Sequence, residues 1–300
     1  MTAFQVSVVI TTKNRCSDLR TALESVRAQR GPVIETIVVD DGSDDGTNEM
    51  VKTHFPDVRL ERRERSAGYI SRRNEAAHLS RAPVIVSLDD DAIFSSPNTV
   101  AQTLAEFNSP TVGAVAIPFI NVNRSAVVCQ RSPNDGRIYE MFAYIGTAHA
   151  VRRDLFLTLG GYREFFFHQG EEMEFCIRLM DAGYVVRAGE ADPIHHFESP
   201  KRVHSRMTIF GRRNDILFTI LNVPTIDLPL HLAGTSYKGL AAGIRQGHPL
   251  WAVQGLLRGY AAALGRLPMR KPVKRATYKR FRALKAAGML PVEADPKFEK

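Results

Sequence analysis

Cysteine is scarce in this 300-residue chain, and its three cysteines are widely spaced with no C-x-x-C pair: Cys16, Cys129 and Cys176. An odd number of scattered cysteines excludes a disulfide scaffold and is typical of free thiols in a reducing compartment. The chain also lacks a run of eighteen apolar residues, and its N-terminus has no basic segment followed by an apolar core. We therefore expect a cytoplasmic protein without spanning helix or signal peptide, whose membrane contact, if any, is peripheral at the inner face.

Acidic residues are few near the C-terminus, and this shortage accounts for the formal net charge of +8. Residues 266–300 hold eleven Lys or Arg against three acids, so everything before them is formally neutral. A neutral body disfavours a nucleic-acid binder. Amphipathic helices that contact an anionic membrane surface are predicted from Leu256, Leu257 and Leu264 with Arg258 and Arg266 and from the basic residues that follow them; a solvated helical cap is the alternative.

Glycine is missing from residues 11–15, the loop after the first predicted strand, so neither G-x-G-x-x-G nor a phosphate-binding lysine loop occurs there. This absence disfavours a dinucleotide-binding or P-loop protein. Apolar runs rich in β-branched residues alternate with helical stretches along the first third of the chain: residues 6–10, 34–39, 58–60 and 84–88. The alternation predicts an α/β fold with a parallel sheet of order 3-2-1-4, whose first and fourth strands are neighbours.

Three consecutive aspartates follow the apolar run at residues 84–88: Asp89, Asp90 and Asp91. Adjacent like charges repel one another unless a cation neutralises them, and clustered carboxylates typically bind Mg²⁺ or Mn²⁺. Thr11 and Asp41 follow the first and second strands, and carboxyl ends of parallel strands meet at one edge of a sheet. We interpret this edge as a metal and nucleotide site; a solvated acidic turn is the alternative.

Four polar motifs occur in order along this half of the chain: the loop 11–15, the acidic turn 40–47, Gly68 with Arg73-Asn74, and the aspartates 89–91. Together they resemble the successive motifs of family-two glycosyltransferases of the GT-A fold. The likeness continues through further segments up to Asn214: residues 146–153, 160–162, 170–178, 195–196 and 213–214. It implies a Rossmann-like, mostly parallel twisted sheet with flanking helices, followed here by a helical C-terminal extension.

The resemblance also implies a chemistry, namely transfer of a hexosyl or deoxyhexosyl group with inversion from a UDP- or dTDP-linked sugar. The acceptor would be the hydroxyl of a glycan or lipid-linked glycan of the cell envelope. Thr11 and Asp41 match positions that contact the pyrimidine. A carboxylate can accept a hydrogen bond from the imide N–H of that base. Arg15 and Arg73 match candidates for base or diphosphate contacts, with Arg72 as an alternative to Arg73. The alternative for residues 40–47 is a turn that caps a helix without any ligand.

For the acids, the resemblance implies that Asp91 binds Mn²⁺ or Mg²⁺, whereas Asp89 and Asp90 bind the sugar-nucleotide donor. His196, or else His195, would complete the metal shell; the alternative is that one histidine packs and the other is solvated. Glu172 occupies the position of the catalytic base, which is normally aspartate in the family. Glu174 is expected to be a charged acid of the first helical turn, which the helix dipole favours, and Glu174→Gln is expected to affect sugar transfer mildly compared with Glu172→Gln.

The likeness divides the chain into a glycosyltransferase domain at 1–215, with a nucleotide-sugar half at 1–91 and an acceptor half at 92–215, and a basic helical extension at 216–300. One rival is a sugar-phosphate nucleotidyltransferase, which needs a glycine-rich basic loop that residues 11–15 lack. A second rival is a non-catalytic module that binds a nucleotide or glycan. The intact acids at Asp91 and Glu172 argue against it.

Overall fold

The computed structural model describes residues 3–133, 135–198 and 204–292. Strands and helices alternate along the first 88 residues, as the apolar pattern predicts: Val6–Thr12 (β1), Cys16–Arg27 (α1), Ile34–Asp40 (β2), Thr47–His54 (α2), Arg59–Arg62 (β3), Tyr69–Leu79 (α3) and Val84–Leu88 (β4). The four strands pair in parallel in the predicted order 3-2-1-4. The carboxyl ends of β1 and β4 are therefore neighbours, which is the crevice expected of a doubly wound sheet.

The middle of the chain is less regular and consists of short strands and helices: Ala92–Phe94 (β5), Thr99–Ala105 (α4), Val112–Ala116 (β6), Phe119–Asn121 (β7), Val128–Cys129 (β8), Tyr139–Met141 (β9), Ala148–Arg152 (β10), Arg153–Thr158 (α5), Glu171–Asp181 (α6), Val185–Ala188 (β11) and Ile194–His196 (β12). The C-terminal part is mainly helical: His204–Asn222 (α7), Leu228–Arg245 (α8), Pro249–Leu264 (α9), Arg275–Ala287 (α10) and Met289–Pro291 (β13).

Among the described residues the main sheet has the order β13-β9-β11-β6-β10-β4-β1-β2-β3. The prediction of a mostly parallel sheet holds only in part, because β10 lies antiparallel between β4 and β6, and β9 is antiparallel to both β11 and β13. Parallel neighbours need a long crossover, usually a helix, and the described residues between β6 and β10 form no helix. That stretch therefore reverses direction within the sheet.

The main sheet is covered on both faces. Alternate residues of β1 enter two different cores, Val8 and Ile10 beside α1 and α2, and Val9 beside α3 and α6. Two hydrophobic cores on opposite faces hold the sheet rigid, which fixes the relative positions of the loops at its edge.

A smaller sheet of order β5-β12-β7-β8 lies beside the acids that follow β4. Its strand β12 pairs with β5, so that His196 faces Ala92 in the ladder, one residue after Asp91. The backbone N–H of Phe197 donates to the carbonyl of Asp91 at 2.8 Å. This sheet therefore brings a histidine, distant in sequence, against the acidic turn.

The C-terminal segment returns to the main sheet, because β13 pairs with β9. Helix α10 buries three side chains in the core that also contains α6: Tyr278, Phe281 and Leu284. The boundary suggested at residue 215 lies inside α7, and residues 293–300 of the basic tail lie outside the described residues. In the described part of the chain, no helix is long and apolar enough to cross a membrane.

Candidate active site

Asp89, Asp91 and His196 form a cluster at the carboxyl end of β4. One ligand atom from each of the three side chains lies within 4.8 Å of the others, and His196 Nε2 is 3.2 Å from Asp91 Oδ1. Two carboxylates and one imidazole suit a divalent cation such as Mn²⁺. His195 is half-buried and outside this cluster, because successive residues of a strand face opposite sides. The structure brings together Asp91 and His196, which were the metal candidates predicted from the sequence, and adds Asp89, which was predicted to contact the donor.

Asp90 lies apart from that cluster. Its carboxylate accepts a hydrogen bond from Thr12 Oγ1 at 2.8 Å and is almost fully buried. Burial raises the pKa of Asp90 to about 7, although Arg15 and the Thr12 hydroxyl oppose the shift. This placement does not support the predicted donor contact; Asp90 instead ties β4 to β1 beneath the site.

Two arginines compensate the charge of the acidic turn. Arg15 Nη1 donates to Asp91 at 2.9 Å, and Arg73 Nη2 donates to Asp89 at 2.6 Å. Burial disfavours ionised Asp91, but its hydrogen bond with His196 and the charge of Arg15 lower its pKa. Asp91 is thus held ionised, as a carboxylate ligand of a metal must be.

Arg73 also connects the acidic turn to α6. It is buried, and its Nη1 lies 3.5 Å from Glu171 and 3.6 Å from Glu172. A cation in this position counters the repulsion among the carboxylates gathered around it. The guanidinium therefore couples the predicted metal site to the predicted base.

Glu172 faces the cleft at the start of α6, with 19% of its side chain exposed, whereas the Glu171 side chain is fully buried. Gly146 lies directly against Glu172, since a Cβ there would clash with Glu172 Oε1 and lie 2.6 Å from Arg73 Nη1. Burial raises the pKa of Glu172, with Arg73 opposing the shift. Of the two adjacent acids, only Glu172 has a side chain with any exposed surface.

Glu174 lies in the first turn of α6, as the sequence predicts. Its side chain is fully buried, accepts hydrogen bonds from Arg178 Nε and Nη2 at 2.9 and 2.8 Å, and lies 3.3 Å from Arg163 Nε. Arg178 in turn donates to the carbonyl oxygens of Leu159 and Gly161. Glu174 thus anchors the preceding loop to α6.

Glu174→Gln is accordingly expected to destabilise the protein by about 3 kcal/mol, because removing one member of a buried ion pair leaves the other charge uncompensated. Urea denaturation measures the change in the free energy of unfolding. Glu24→Gln, the same replacement at an exposed position of α1, serves as the control and should change it by less than about 0.5 kcal/mol. Equal stabilities of the two variants would contradict this role.

Asp41 follows β2 and lies outside the cluster of Asp89, Asp91 and His196. Its carboxylate accepts four hydrogen bonds, from Ser66 Oγ at 2.5 Å, Arg72 Nε at 2.6 Å, and the backbone N–H groups of Ala67 and Gly68. Although burial favours the neutral acid, these hydrogen bonds lower the pKa of Asp41. Arg72 therefore pairs with Asp41, whereas Arg73 pairs with Asp89. Thr11, half-buried, precedes the Thr12 carbonyl that Asp41 N–H contacts.

The alternative interpretation of residues 40–47 as a helix-capping turn is correct for Asp45. Its carboxylate accepts from the first N–H of α1, that of Cys16, at 2.9 Å and from Thr47 Oγ1 at 2.5 Å. One acid thus satisfies the starts of two helices. The same turn therefore combines a capping residue, Asp45, with Asp41 in the crevice.

Asn214 contributes to the site, although the sequence motif that contains it suggested no role. The Nδ2 group of this buried amide lies within 2.9 Å of the carbonyl oxygens of Phe166, His168 and Gln169, which share its two hydrogens. Gln169 and Phe167 both have positive φ angles, so this loop needs such support. Asn214 thereby fixes the segment that leads into Glu171 and Glu172, a contact that only the folded structure could reveal.

Comparison with known proteins identifies the class. The fold and the acidic cleft are those of a GT-A glycosyltransferase. The chain belongs to glycosyl transferase family 2, whose model matches residues 7–165. It is therefore an enzyme that transfers glycosyl groups, and the nucleotidyltransferase and non-catalytic alternatives are set aside.

Named relatives agree with this family. The chain is 26% identical over 255 residues to the O-antigen chain rhamnosyltransferase WbaN of Salmonella anatum, covering 77% of this chain and 78% of WbaN. It is also 25% identical over 226 residues to the O-antigen biosynthesis protein RfbC of Myxococcus xanthus. That match covers 66% of this chain but only 18% of RfbC.

Solved structures show the same fold. The mannosyltransferase PcManGT from Pyrobaculum calidifontis, in complex with GDP-Man and Mn²⁺, has a TM-score of 0.59 at 21% identity and covers 96% of this chain and 81% of its own. S. aureus TarS (residues 1–349) with UDP-GlcNAc has a TM-score of 0.56 at 18% identity, covering 77% of this chain and 71% of its own.

Proposed function

We propose that this enzyme transfers a sugar, with inversion, from a UDP- or dTDP-linked donor to a glycan or lipid-linked acceptor during synthesis of a surface polysaccharide. The observation that carries the proposal is the position of Arg73, which contacts Asp89 in the acidic cluster and lies 3.6 Å from Glu172. The cluster that would hold the leaving diphosphate and the proposed base Glu172 both lie beside the Arg73 guanidinium. The two groups are therefore close enough to act on one anomeric carbon in a single displacement. The O-antigen relatives support the class of product.

In this proposal Asp89, Asp91 and His196 hold Mn²⁺ or Mg²⁺. When bound, the cation supplies Lewis-acid stabilisation of the departing diphosphate. Arg15 adds positive charge on the same side, and Thr11 and Asp41 face the pyrimidine. Asp41 would exchange part of its present hydrogen bonding for the imide N–H of the base.

Glu172 accepts the proton of the acceptor hydroxyl as that oxygen attacks the anomeric carbon. Glu171 is fully buried and contributes charge rather than proton transfer. The longer side chain of glutamate, compared with the usual aspartate, extends the reach of the base by one methylene group. Gly146 leaves the space that this longer side chain occupies.

The rate of transfer should fall as pH decreases, since Glu172 must be ionised to accept a proton. Burial raises its pKa, so the loss should occur above the pH at which an exposed glutamate titrates, about 4.3. A profile of kcat against pH in the parent enzyme measures this limb. A rate that stays constant down to about pH 4 would show that no base with a raised pKa limits the reaction.

The donor assignment is tested by thermal shift with UDP-, dTDP- and GDP-sugars, each with and without Mn²⁺. A donor that binds only the folded chain raises its melting temperature. We expect UDP- or dTDP-sugars to raise it only when Mn²⁺ is present. A shift confined to GDP-sugars would overturn the pyrimidine assignment, and that outcome is a real competitor because PcManGT is described with GDP-Man.

A further inference from the structure

The exposed apolar side chains of this protein are concentrated on one helical hairpin. Of nineteen large hydrophobic residues exposed in the described part of the chain, twelve lie within residues 226–269. They are Ile226, Leu230, Tyr237, Leu240, Ile244, Leu250, Val253, Leu257, Tyr260, Leu264, Leu267 and Met269. Leu230 and Leu250 are about as exposed as side chains can be, at 81% and 80%. Soluble surfaces rarely gather apolar residues in this way without a partner.

These residues recur at the helical period along both arms of the hairpin. On α8 the stripe is 230, 237, 240 and 244, preceded by 226 in the turn before the helix, and on α9 it is 250, 253, 257, 260 and 264. The opposite side of each helix is closely packed, because Gly239 lies against Arg212 while Gly255 and Gly259 lie against the α7 backbone. The two apolar stripes therefore face away from α7 and from the body of the protein.

Charge on this part of the chain has a single sign. Residues 228–292 contain twelve Lys or Arg and no Asp or Glu. Lys238, Arg245 and Arg258 are exposed on the hairpin itself, where the neighbouring acids Asp215 and Asp227 pair instead with Arg212 and Arg275. A second copy of this face would bring like charges together. A surface of anionic lipid headgroups over hydrocarbon matches both its charge and its apolar stripes.

Helix α10 is less suited to this role, although the basic tail was the surface suggested by the sequence. Its apolar side chains Tyr278, Phe281 and Leu284 are buried in the core. Two of its cations pair with acids of the body, Arg275 with Asp227 at 3.0 Å and Arg280 with Glu140 at 2.7 Å. The hairpin keeps its apolar side chains outside.

The hairpin also lies close to the catalytic cleft. The α9 residue Gly255 packs on the carbonyl of Ile209 in α7. On the same turns of α7, Phe210 stacks at 5.3 Å on Phe167, in the loop that leads into α6. Contact of the hairpin with a bilayer would therefore bring the Glu172 side of the cleft near the membrane surface.

We propose that the outward face of the α8–α9 hairpin docks the enzyme onto an anionic lipid bilayer. Its apolar stripes enter the boundary between headgroups and acyl chains, and its flanking cations contact lipid phosphates. The delivery of a lipid-linked acceptor to Glu172 rests on the function proposed above. The docking itself does not, because it requires neither donor nor acceptor.

Co-sedimentation with sucrose-loaded vesicles of phosphatidylcholine and phosphatidylglycerol tests this. The parent chain should bind these vesicles, and binding should weaken by about tenfold or more in high salt, which screens the cations. The triple variant Tyr237→Glu/Leu250→Glu/Leu257→Glu should bind at least about 100-fold more weakly, because three apolar side chains are replaced by acids. All three positions are exposed, so folding should be preserved.

The matched control is Val122→Glu/Val127→Glu, which alters two exposed valines, at 44% and 65%, far from the hairpin in sequence. It should bind vesicles like the parent chain. Equal binding by the triple variant and the parent would overturn the proposal. So would light scattering that shows a dimer dissociated by the triple variant, combined with no binding to vesicles, since the face would then join two copies. Release of nucleoside diphosphate, measured without vesicles, reports on the proposed function separately.

Discussion

Glu172→Gln should lower the rate of sugar transfer by about 10² to 10⁴-fold, the usual contribution of a general base. Glutamine keeps the size and polarity of the side chain, so the packing against Gly146 and the affinity for the donor should persist. A sugar hydroxyl is a poor nucleophile at neutral pH, and the amide cannot take its proton. Single-turnover transfer with saturating donor separates this chemical defect from any defect in product release.

Two further variants show whether the loss of transfer is specific to Glu172. Glu24→Gln makes the same chemical change on exposed α1 and should transfer at the parental rate. Glu171→Gln should retain more activity than Glu172→Gln, because the Glu171 side chain is fully buried and cannot reach an acceptor. If Glu172→Gln transferred sugar at nearly the parental rate while Glu171→Gln did not, the roles of the two acids would be exchanged.

Asp91→Ala should abolish Mn²⁺ binding and lower turnover by about 10³-fold or more, since a metal ion contributes several kcal/mol to stabilising the leaving group. Asp91 is the residue most central to the cluster, because it contacts both His196 and Arg15. Titration calorimetry with Mn²⁺ measures the binding directly. Circular dichroism and urea denaturation should show a folded variant, because Arg15 retains Asp18 at 3.3 Å and Asp90 at 3.7 Å as partners when the Asp91 carboxylate is removed.

Asp154→Ala is the matched control for this experiment. Asp154 is 91% exposed on α5 and is paired only with its neighbour Arg153. It should bind Mn²⁺ and turn over donor like the parent. Undiminished Mn²⁺ affinity in Asp91→Ala would place the metal elsewhere.

Local pattern was sufficient to predict the nucleotide half of the fold. Alternating apolar runs and helical stretches predicted β1 to β4 and their order, because each run is long enough to form a buried strand and each helix presents one apolar face. The same reasoning placed Asp41 and Asp91 at one edge. It could not orient the acids, and only the bond between Thr12 and Asp90 shows that Asp90 faces inward.

Contacts between segments that are distant in the sequence could not be predicted from the sequence pattern. Nothing near Glu174 in sequence distinguishes it from a solvated helix acid except Arg178 four residues later, and burial by Arg163 depends on tertiary packing. The antiparallel direction of β10 could not be predicted, because the connection between β6 and β10 is irregular and has no periodic apolar pattern. The apolar pattern predicted an amphipathic helix that includes Leu257 and Leu264 of α9, but it gave no prediction that α8 presents an exposed apolar face as well. The choice of His196 over His195 required the pairing of β12 with β5.

Metal-dependent release of nucleoside diphosphate from a UDP- or dTDP-sugar tests the central claim most directly. The purified chain is treated with EDTA, its activity is measured by chromatography of the released nucleotide, and Mn²⁺ is then added back. We expect negligible release after chelation and full recovery with Mn²⁺, because the cluster of Asp89, Asp91 and His196 needs the cation to stabilise the leaving group. Full activity in excess EDTA would contradict the account.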